Sequence, residues 1–307
     1  MTEYTSLLVL GGSGMLGSMV ADVLSRNSHF RLRVTVRSSE ILNKCRLVLP
    51  EIQWELWDAL AVDEEELYRI IGESSWVINA IGIIKPHIND KNPKEVERAI
   101  LINALFPHLL AHVANEKGVR VLQIATDCVY CGNRGSYIES DFHDALDVYG
   151  KTKSLGECNT DSFFNLRCSI IGPEVKSKNS LLEWFLDQST GIQLNGFTNH
   201  LWNGVTTLQF ARICEGIISS GLDLENLHHI VPSGSVTKYE LLNLFRRYFD
   251  RGDIVISTAK GDQVIDRTLL TNNSDINNNI WTSAGYLNPP TIKEMIEELS
   301  NFDYRFK

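Results

Sequence analysis

The sequence predicts an α/β protein with a doubly wound parallel sheet, followed by a smaller C-terminal α/β part. Two observations carry this prediction. Short apolar runs alternate with helical patterns through about the first 172 residues, and a glycine-rich turn joins the first apolar run to the first helix. Strands that alternate with helices favour a parallel sheet covered on both faces. Because ligands of such sheets bind outside the carboxyl ends of the strands, we expect a site at that edge.

The glycine-rich turn is the first candidate element of this site. The strand Leu7–Leu10 runs into Gly11-Gly12-Ser13-Gly14-Met15-Leu16-Gly17, and a helical pattern follows. This order is typical of dinucleotide sites, where glycines let the backbone approach a pyrophosphate and the helix N-terminus offers free N–H groups. An ordinary tight turn is the alternative. The predicted cofactor-binding residues of the turn are Gly11, Gly14, Met15, Leu16 and Gly17.

The end of the second strand bears on which dinucleotide binds. The strand Arg31–Val36 is followed by Arg37, Ser38 and Ser39, where a site for NAD usually carries an acidic residue. A guanidinium and hydroxyl groups suit the 2′-phosphate of NADP. We therefore predict that Arg37 and Ser38 bind the cofactor and that NADP(H) is preferred, with NAD(H) left open. A solvated arginine at a strand end is the alternative.

Two further strand ends add candidate cofactor contacts. Asp58 follows the predicted strand Ile52–Trp57, where its carboxylate would either bind the adenine amino group or cap the next helix. The predicted strand Trp76–Gly82 ends in Ala80 and Gly82, whose small size leaves room for a flat ligand.

The fifth predicted strand, Val119–Ile124, delivers Thr126 to the same edge of the sheet. It follows a long helix predicted over Lys94–Glu116, on which Asn103 is either a buried polar bridge or a surface residue. The agreement of five strand ends is the strongest physical indication of a ligand site.

A tyrosine and a lysine on one helix are the candidate catalytic pair. Tyr149 and Lys153 are four residues apart, so they lie on the same helical face. A tyrosine with its ordinary pKa of about 10 is a poor acid–base catalyst, and a nearby ammonium lowers that pKa. We therefore expect the pair to exchange a proton with a substrate oxygen. A solvated helix face is the alternative.

These motifs resemble those of the extended short-chain dehydrogenase/reductases, whose sheet is of the Rossmann type. The markers are the glycine turn, Thr126 and Tyr149-x-x-x-Lys153, and the run around Thr126 resembles the dTDP-4-dehydrorhamnose reductase branch in particular. This chain departs from the branch at Ala125, Cys128 and Cys131, and it lacks the proline expected before the tyrosine. Cys128 also stands where the related dehydratases carry a glutamate.

The resemblance implies NADPH-dependent reduction of a keto group on a nucleotide-activated sugar, in deoxysugar and polysaccharide precursor biosynthesis. It implies that Tyr149 is the general acid, that Lys153 holds the nicotinamide ribose and that Thr126 hydrogen-bonds to the substrate carbonyl. A non-catalytic dinucleotide-binding regulatory subunit and an epimerase that retains NAD(P) are the alternatives.

The second half is predicted to bind the substrate. We assign residues 1–172 to the dinucleotide-binding domain and 173–307 to the substrate-binding part, from which some segments could return to the first domain. Trp202 and Asn203 offer an aromatic ring and an amide to a sugar or base, and Arg267 suits a diphosphate. A capped helix entry and a surface salt bridge are the respective alternatives. The predicted substrate-binding residues are Lys85, Cys128, Trp202, Asn203 and Arg267.

Two further expectations concern the C-terminal region. Asn272-Asn273 and Asn277-Asn278-Asn279 are predicted to be polar loop, and the final helix, Thr291–Leu299, is predicted to pack on the outside.

Composition excludes other classes of protein. A net charge of −9 and a pI of about 5.4 argue against nucleic-acid binding. The sequence contains no run of eighteen apolar residues, so no membrane span is predicted. The polar start of the chain and six scattered cysteines predict a reduced, cytoplasmic protein. Cys128 and Cys131 lack a second cysteine or histidine pair nearby, so no metal site is predicted. Dimerisation through the helices that carry Asn103 and Tyr149 is implied by the resemblance alone.

Overall fold

The computed structural model describes residues 4–61, 63–175 and 178–306, so that the first three residues of the polar start lie outside it. Six strands of the first half are parallel members of one sheet. They are β1 (Thr5–Leu10), β2 (Phe30–Val36), β3 (Gln53–Leu56), β4 (Trp76–Asn79), β5 (Arg120–Thr126) and β6 (Phe163–Cys168).

The second half contributes short strands, one of which completes the sheet. They are β7 (Ile170–Ile171), β8 (Gln193–Phe197), β9 (His200–Trp202), β10 (Val205–Thr206), β11 (Leu227–His229), β12 (Val236–Thr237), β13 (Val255–Ala259) and β14 (Ile265–Asp266). The central sheet has seven strands in the order β11-β6-β5-β4-β1-β2-β3. The order reverses between β1 and β4, which is the point where doubly wound sheets bind ligands.

Helices connect and cover the strands on both sides of the sheet. They are α1 (Met15–Ser25), α2 (Ser39–Val48), α3 (Glu64–Ile71), α4 (Pro93–Ala99), α5 (Phe106–Lys117), α6 (Val148–Leu155), α7 (Leu181–Leu186), α8 (Thr207–Ser220), α9 (Lys238–Tyr248), α10 (Ser274–Ser283) and α11 (Ile292–Asn301). The predicted doubly wound parallel sheet is thereby confirmed.

The core lies in two layers, one on each face of the sheet. Successive residues of β1 divide between them: Leu7 and Val9 pack into one layer, Leu8 and Leu10 into the other. This alternation follows from the pleat of a strand, and burial on both faces explains why β1 reads as a continuous apolar run.

The C-terminal end of the chain packs back onto the first helix. Asp22 of α1 is fully buried, and its Oδ1 accepts a hydrogen bond from Arg305 Nε at 2.7 Å. The hydroxyls of Ser18 and Tyr304 are 2.6 Å apart. The final helix packs on the outside as expected: α11 buries one face in the core that α1 and α8 share and exposes the opposite face. The residues of the buried face are Ile292, Met295, Ile296 and Leu299.

Asn277, Asn278 and Asn279 lie in the helix α10, so the predicted polar loop is wrong for these three, whereas Asn272 and Asn273 precede the helix as predicted. Asn273 caps α10 by accepting a hydrogen bond from Ile276 N at 3.1 Å. Asn277 is buried and exchanges two hydrogen bonds of 3.0 Å with the backbone of Val231. An interior asparagine is tolerated there because both its Oδ1 and its Nδ2 have a hydrogen-bond partner.

Three structural features of the described residues bear on the class of protein. None of their helices combines the length and the apolar character needed for a membrane crossing. No group of three histidine, cysteine or acidic side chains comes together there as a metal site. The six cysteines, all of which belong to the described segments, are free.

Candidate active site

A cavity of about 1020 Å³ opens at the carboxyl ends of β1, β2, β4 and β5. Ligand pockets usually measure about 300–1,000 Å³, so this cavity lies at the large end of that range. The predicted residues that line the cavity are Gly11, Gly14, Met15, Leu16, Arg37, Asp58, Ala80, Gly82, Thr126, Cys128, Tyr149, Lys153 and Trp202. The predicted residues outside the lining are Gly17, Ser38, Lys85, Asn203 and Arg267.

The glycine turn forms one end of the cavity from backbone atoms. Gly11 has a φ of +84°, and its N–H donates to Thr35 Oγ1 at 3.1 Å. A Cβ on Gly17 would lie 2.2 Å from the carbonyl oxygen of Gly11, so only glycine lets α1 pack this closely against the turn. Gly17 therefore shapes the turn from outside the cavity.

The first backbone N–H groups of α1 are suited to bind an anion. The first helical hydrogen bond runs from Ser18 N to Gly14 O, so the N–H groups of Met15 and Leu16 precede the helical ladder. The N-cap residue is Gly14, which has no side chain that could accept a hydrogen bond from these N–H groups. Free amides and the positive end of the helix dipole fit the pyrophosphate of a dinucleotide.

Arg37 and Asp58 lie where the sequence places the remainder of the cofactor. The exposed Arg37 lines the cavity directly after β2, whereas Ser38 is the N-cap residue of α2 and lies outside the lining. Asp58 lines the cavity and also accepts a hydrogen bond from Leu60 N at 3.1 Å. The cap alternative for Asp58 is thus present, and it leaves Oδ2 for a ligand.

The sequence left open whether Asn103 is a buried polar bridge or a surface residue, and the structure shows that it is a buried bridge. It lies in a π-helical turn, Ile100–Leu105, which interrupts the long helix between α4 and α5. Its Oδ1 accepts from Ile83 N at 2.8 Å, and its Nδ2 donates to Ile83 O at 2.9 Å and to Thr152 Oγ1 at 3.3 Å. Asn103 therefore joins the loop after β4 to α6, the helix with the candidate catalytic pair.

The start of α6 is fixed from several sides. Asp147 caps the helix by accepting from Gly150 N at 2.8 Å, and its other carboxylate oxygen pairs with Lys85 at 2.7 Å. This ion pair accounts for the position of Lys85 outside the cavity. A Cβ on Gly150 would lie 2.4 Å from the carbonyl oxygen of Cys128, so α6 packs closely on the turn after β5.

Thr126 and Lys153 present polar groups to the cavity beside Tyr149. The buried Thr126 accepts a hydrogen bond from Cys128 N at 3.2 Å, and its hydroxyl lies 3.3 Å from Asp127 Oδ1. Lys153 Nζ donates to Ile124 O at 3.0 Å. Burial lowers the pKa of Lys153 to about 8, while Glu157 acts in the opposite direction.

The pKa of Tyr149 is shifted opposite to expectation. Burial raises it, the charges of Cys128 and Asp127 add to the rise, and the Thr126 side chain opposes it. The predicted lowering of this pKa by Lys153 is therefore wrong for the protein alone, because removal from water outweighs the neighbouring ammonium. A raised pKa keeps the phenol protonated, as a general acid requires.

The substrate side of the cavity combines predicted and unpredicted residues. Trp202 donates from Nε1 to Ser169 Oγ at 2.9 Å, and both residues line the cavity. Lys238, which sequence reasoning missed, lines it as well. The available signal was a lysine in the first turn of a helix, where the helix dipole disfavours a cation.

Asn203 and Arg267 are engaged elsewhere in the protein. Asn203 exchanges hydrogen bonds with the backbone of Leu269, at 2.7 Å to the carbonyl and 2.9 Å from the amide. Arg267 donates to the carbonyl oxygens of Tyr130 at 2.9 Å and Cys131 at 3.1 Å. In this structure both side chains hold loops together next to the cavity.

Comparison with known proteins assigns the family. Residues 5–303 match the model of the RmlD substrate binding domain. The chain belongs to the RmlD substrate binding domain family. This membership confirms the predicted relationship to the dTDP-4-dehydrorhamnose reductase branch and the predicted class of enzyme, an NAD(P)-dependent oxidoreductase.

The relatives of this chain include dTDP-4-dehydrorhamnose reductases and one subunit of a methionine adenosyltransferase. The dTDP-4-dehydrorhamnose reductase of Escherichia coli (strain K12) is 28% identical over 62% of this chain and 72% of its own. Methionine adenosyltransferase 2 subunit beta of Danio rerio is 24% identical over 78% of this chain and 72% of its own. The structure of dTDP-4-dehydrorhamnose reductase from Bacillus anthracis, solved in complex with NADP, aligns with a TM-score of 0.72 at 17% identity and covers 96% of this chain and 98% of its own.

Proposed function

We propose that the protein reduces a keto group on a nucleotide-activated sugar with NADPH, in the biosynthesis of deoxysugar and polysaccharide precursors. The observation that carries the proposal is that Thr126, Tyr149 and Lys153 line the same cavity as the glycine turn and Arg37. The names of the reductase relatives, one of them solved with NADP, support the same reaction and cofactor.

The cofactor end of the cavity provides binding groups for NADPH. The amides of Met15 and Leu16 would hold the pyrophosphate, and Arg37 would pair with the 2′-phosphate. The bound cofactor supplies the hydride.

The catalytic groups act on the oxygen of the reduced carbonyl. Tyr149 donates its phenolic proton to the developing alkoxide, which is typically worth about 10²- to 10⁴-fold in rate. Thr126 turns its hydroxyl from Asp127 toward the same oxygen and stabilises the growing negative charge. Lys153 uses one N–H on Ile124 O, so its other two protons are available to the cofactor ribose and the phenolate.

A substrate panel tests the proposal. Purified protein is mixed with NADPH and with dTDP-, UDP- or GDP-linked 4-ketosugars, and loss of NADPH absorbance is followed. We expect turnover with at least one of them. Absence of turnover across the panel, with NADPH bound, would contradict the reductase proposal.

A second candidate is a non-catalytic subunit that binds a dinucleotide. The similarity to the beta subunit of methionine adenosyltransferase 2 favours it. Tight NADP(H) binding without turnover of any ketosugar would be its signature. A dinucleotide that copurifies and does not exchange would instead favour the retained-cofactor epimerase.

A further inference from the structure

A lysine on the substrate side of the cavity has no part in the proposed proton transfer. Lys238 is the first residue of α9 and lines the cavity together with Trp202 and Cys128. Its Nζ lies 5.9 Å from the centroid of the Trp202 ring. An ammonium over an indole face is attracted to it, so the ring helps to fix the position of this charge.

The position of Lys238 is unfavourable for a cation. Thr237 caps α9 by accepting from Glu240 N at 3.2 Å, so Lys238 lies in the first turn, where the helix dipole disfavours positive charge. Burial lowers its pKa, which means that the cavity also disfavours the charged form. A lysine kept at an electrostatically unfavourable position, with no contact that offsets the cost, is typical of a functional residue.

The same capping arrangement elsewhere in the chain shows a different use of lysine. Thr291 and Glu294 form an equivalent capping box at the start of α11, and Lys293 in that first turn is exposed to solvent. Water screens an exposed charge against the dipole, so Lys293 needs no partner. Lys238 is only partly exposed, so water screens its charge less.

The charged groups around Lys238 leave its ammonium available. Asp127 attracts it and Arg267 repels it, but among the described residues no carboxylate forms an ion pair with it. The arrangement therefore favours a ligand oxygen as the partner of Lys238.

We propose that Lys238 binds an anionic oxygen of the nucleotide-sugar substrate, either on the diphosphate or on a carboxylate of the sugar. The proposal rests on the proposed function. Asp127 and Cys128 directly follow Thr126, so the anionic group lies close to the reacting sugar. Trp202 gives the same ligand an apolar face, and Lys238 acts as a point charge beside it.

Binding measurements on Lys238→Met test this proposal. The variant keeps a side chain of similar length without the charge, and Lys293→Met is the matched control. Calorimetry on the NADP-loaded proteins measures the affinities of dTDP, UDP, UDP-glucose and UDP-glucuronate. We expect Lys238→Met to weaken the recognised ligand about 10- to 100-fold, the loss of one charge-assisted hydrogen bond, and Lys238→Arg to retain most of the affinity.

The ligands separate the two sources of negative charge. Weaker binding of dTDP or UDP themselves identifies the diphosphate. Unchanged binding of these nucleotides, with a selective loss for UDP-glucuronate relative to UDP-glucose, identifies a sugar carboxylate. Equal affinities of wild type and Lys238→Met for every ligand would overturn the proposal.

The controls distinguish the possible failures. NADP affinity and the melting temperature of Lys238→Met are expected to match those of Lys293→Met, which shows that the fold is intact. GDP is measured as a fifth ligand, and a wild-type protein that binds none of the five would contradict the proposed function itself, and the assignment of Lys238 with it. A wild type that binds, with an equally competent Lys238→Met, would contradict the assignment of Lys238 alone.

Discussion

The two ends of the cavity are built from different parts of the chain. At the pyrophosphate part of the cofactor end, backbone groups of one continuous turn, Gly11–Leu16, make the surface, and Gly17 supports that turn from outside the cavity. At the substrate end, side chains from distant segments meet, among them Cys128, Trp202 and Lys238. A surface made by backbone requires particular residues at fixed spacing, whereas a surface made by side chains depends on tertiary packing. The cofactor end is therefore the more rigidly specified of the two.

Among the substitutions that compare the two ends of the cavity, we expect the largest change in binding affinity at Arg37. Arg37→Gln removes the charged partner of a 2′-phosphate, and we expect NADPH to bind about 10- to 100-fold more weakly. NADH affinity should stay within about twofold, since that cofactor lacks the phosphate. Arg31→Gln is the control, because Arg31 stacks on Tyr4, 4.6 Å from the ring centroid, at the other end of the strand. Fluorescence titration measures both constants, and equal wild-type affinities for the two cofactors would contradict the prediction.

The next effect tests the backbone-built turn. Gly17→Ala places a Cβ 2.2 Å from Gly11 O, and we expect the free energy of unfolding to fall by about 1–3 kcal/mol. Gly252→Ala is the control, because an added Cβ there meets no atom within 4 Å. Urea denaturation compares the two variants. Equal stabilities would show that the turn tolerates a side chain at position 17 and does not require glycine there.

Asn103 tests the connection between the cofactor loop and the catalytic helix. Asn103→Ala removes its hydrogen bonds to Ile83 and Thr152, and we expect kcat to fall about tenfold as α6 loses its position. Asn115→Ala, an exposed change on α5, is the control. Steady-state kinetics measures the effect. An unchanged kcat in Asn103→Ala would mean that α6 is held without this bridge.

The mildest perturbation is a change of pH. The pKa of Lys153 is about 8, so its ammonium loses its proton as the pH rises through that value, while the raised pKa of Tyr149 keeps the phenol protonated. We expect kcat to fall above pH ~8, about tenfold per unit. Lys153→Arg should move the fall to higher pH, and Lys151→Arg, an exposed change on the same helix, should not. A wild-type kcat that is constant up to pH ~10 would contradict the role of Lys153.

The sequence predicts the cofactor end of this protein better than the substrate end, for a physical reason. The turn Gly11–Gly17 and the pair Tyr149 and Lys153 depend on spacing within one element, which can be read along the chain. Lys238 reaches the cavity only through the packing of α9 beside Trp202, which no local pattern reveals. Burial likewise sets the pKa of Tyr149, and burial follows from the complete fold.

The polar stretches of the second half show the same limit. The asparagines 272–273 and 277–279 read as loop because asparagine is a poor helix former. The second group lies in a helix because Asn273 serves as the cap and Asn277 bonds to the backbone of Val231. The partners of both amides lie in the tertiary structure, so composition alone gives the wrong element.

The most direct test of the central claim compares Tyr149→Phe with Tyr248→Phe on the best ketosugar of the panel. Tyr248 bonds to Glu297 on the surface, so its variant controls for the loss of a phenolic hydroxyl. We predict that Tyr149→Phe lowers kcat by about 10²- to 10⁴-fold and leaves NADPH affinity within twofold, while Tyr248→Phe changes neither. A Tyr149→Phe protein that turns over at the wild-type rate would show that another group donates the proton.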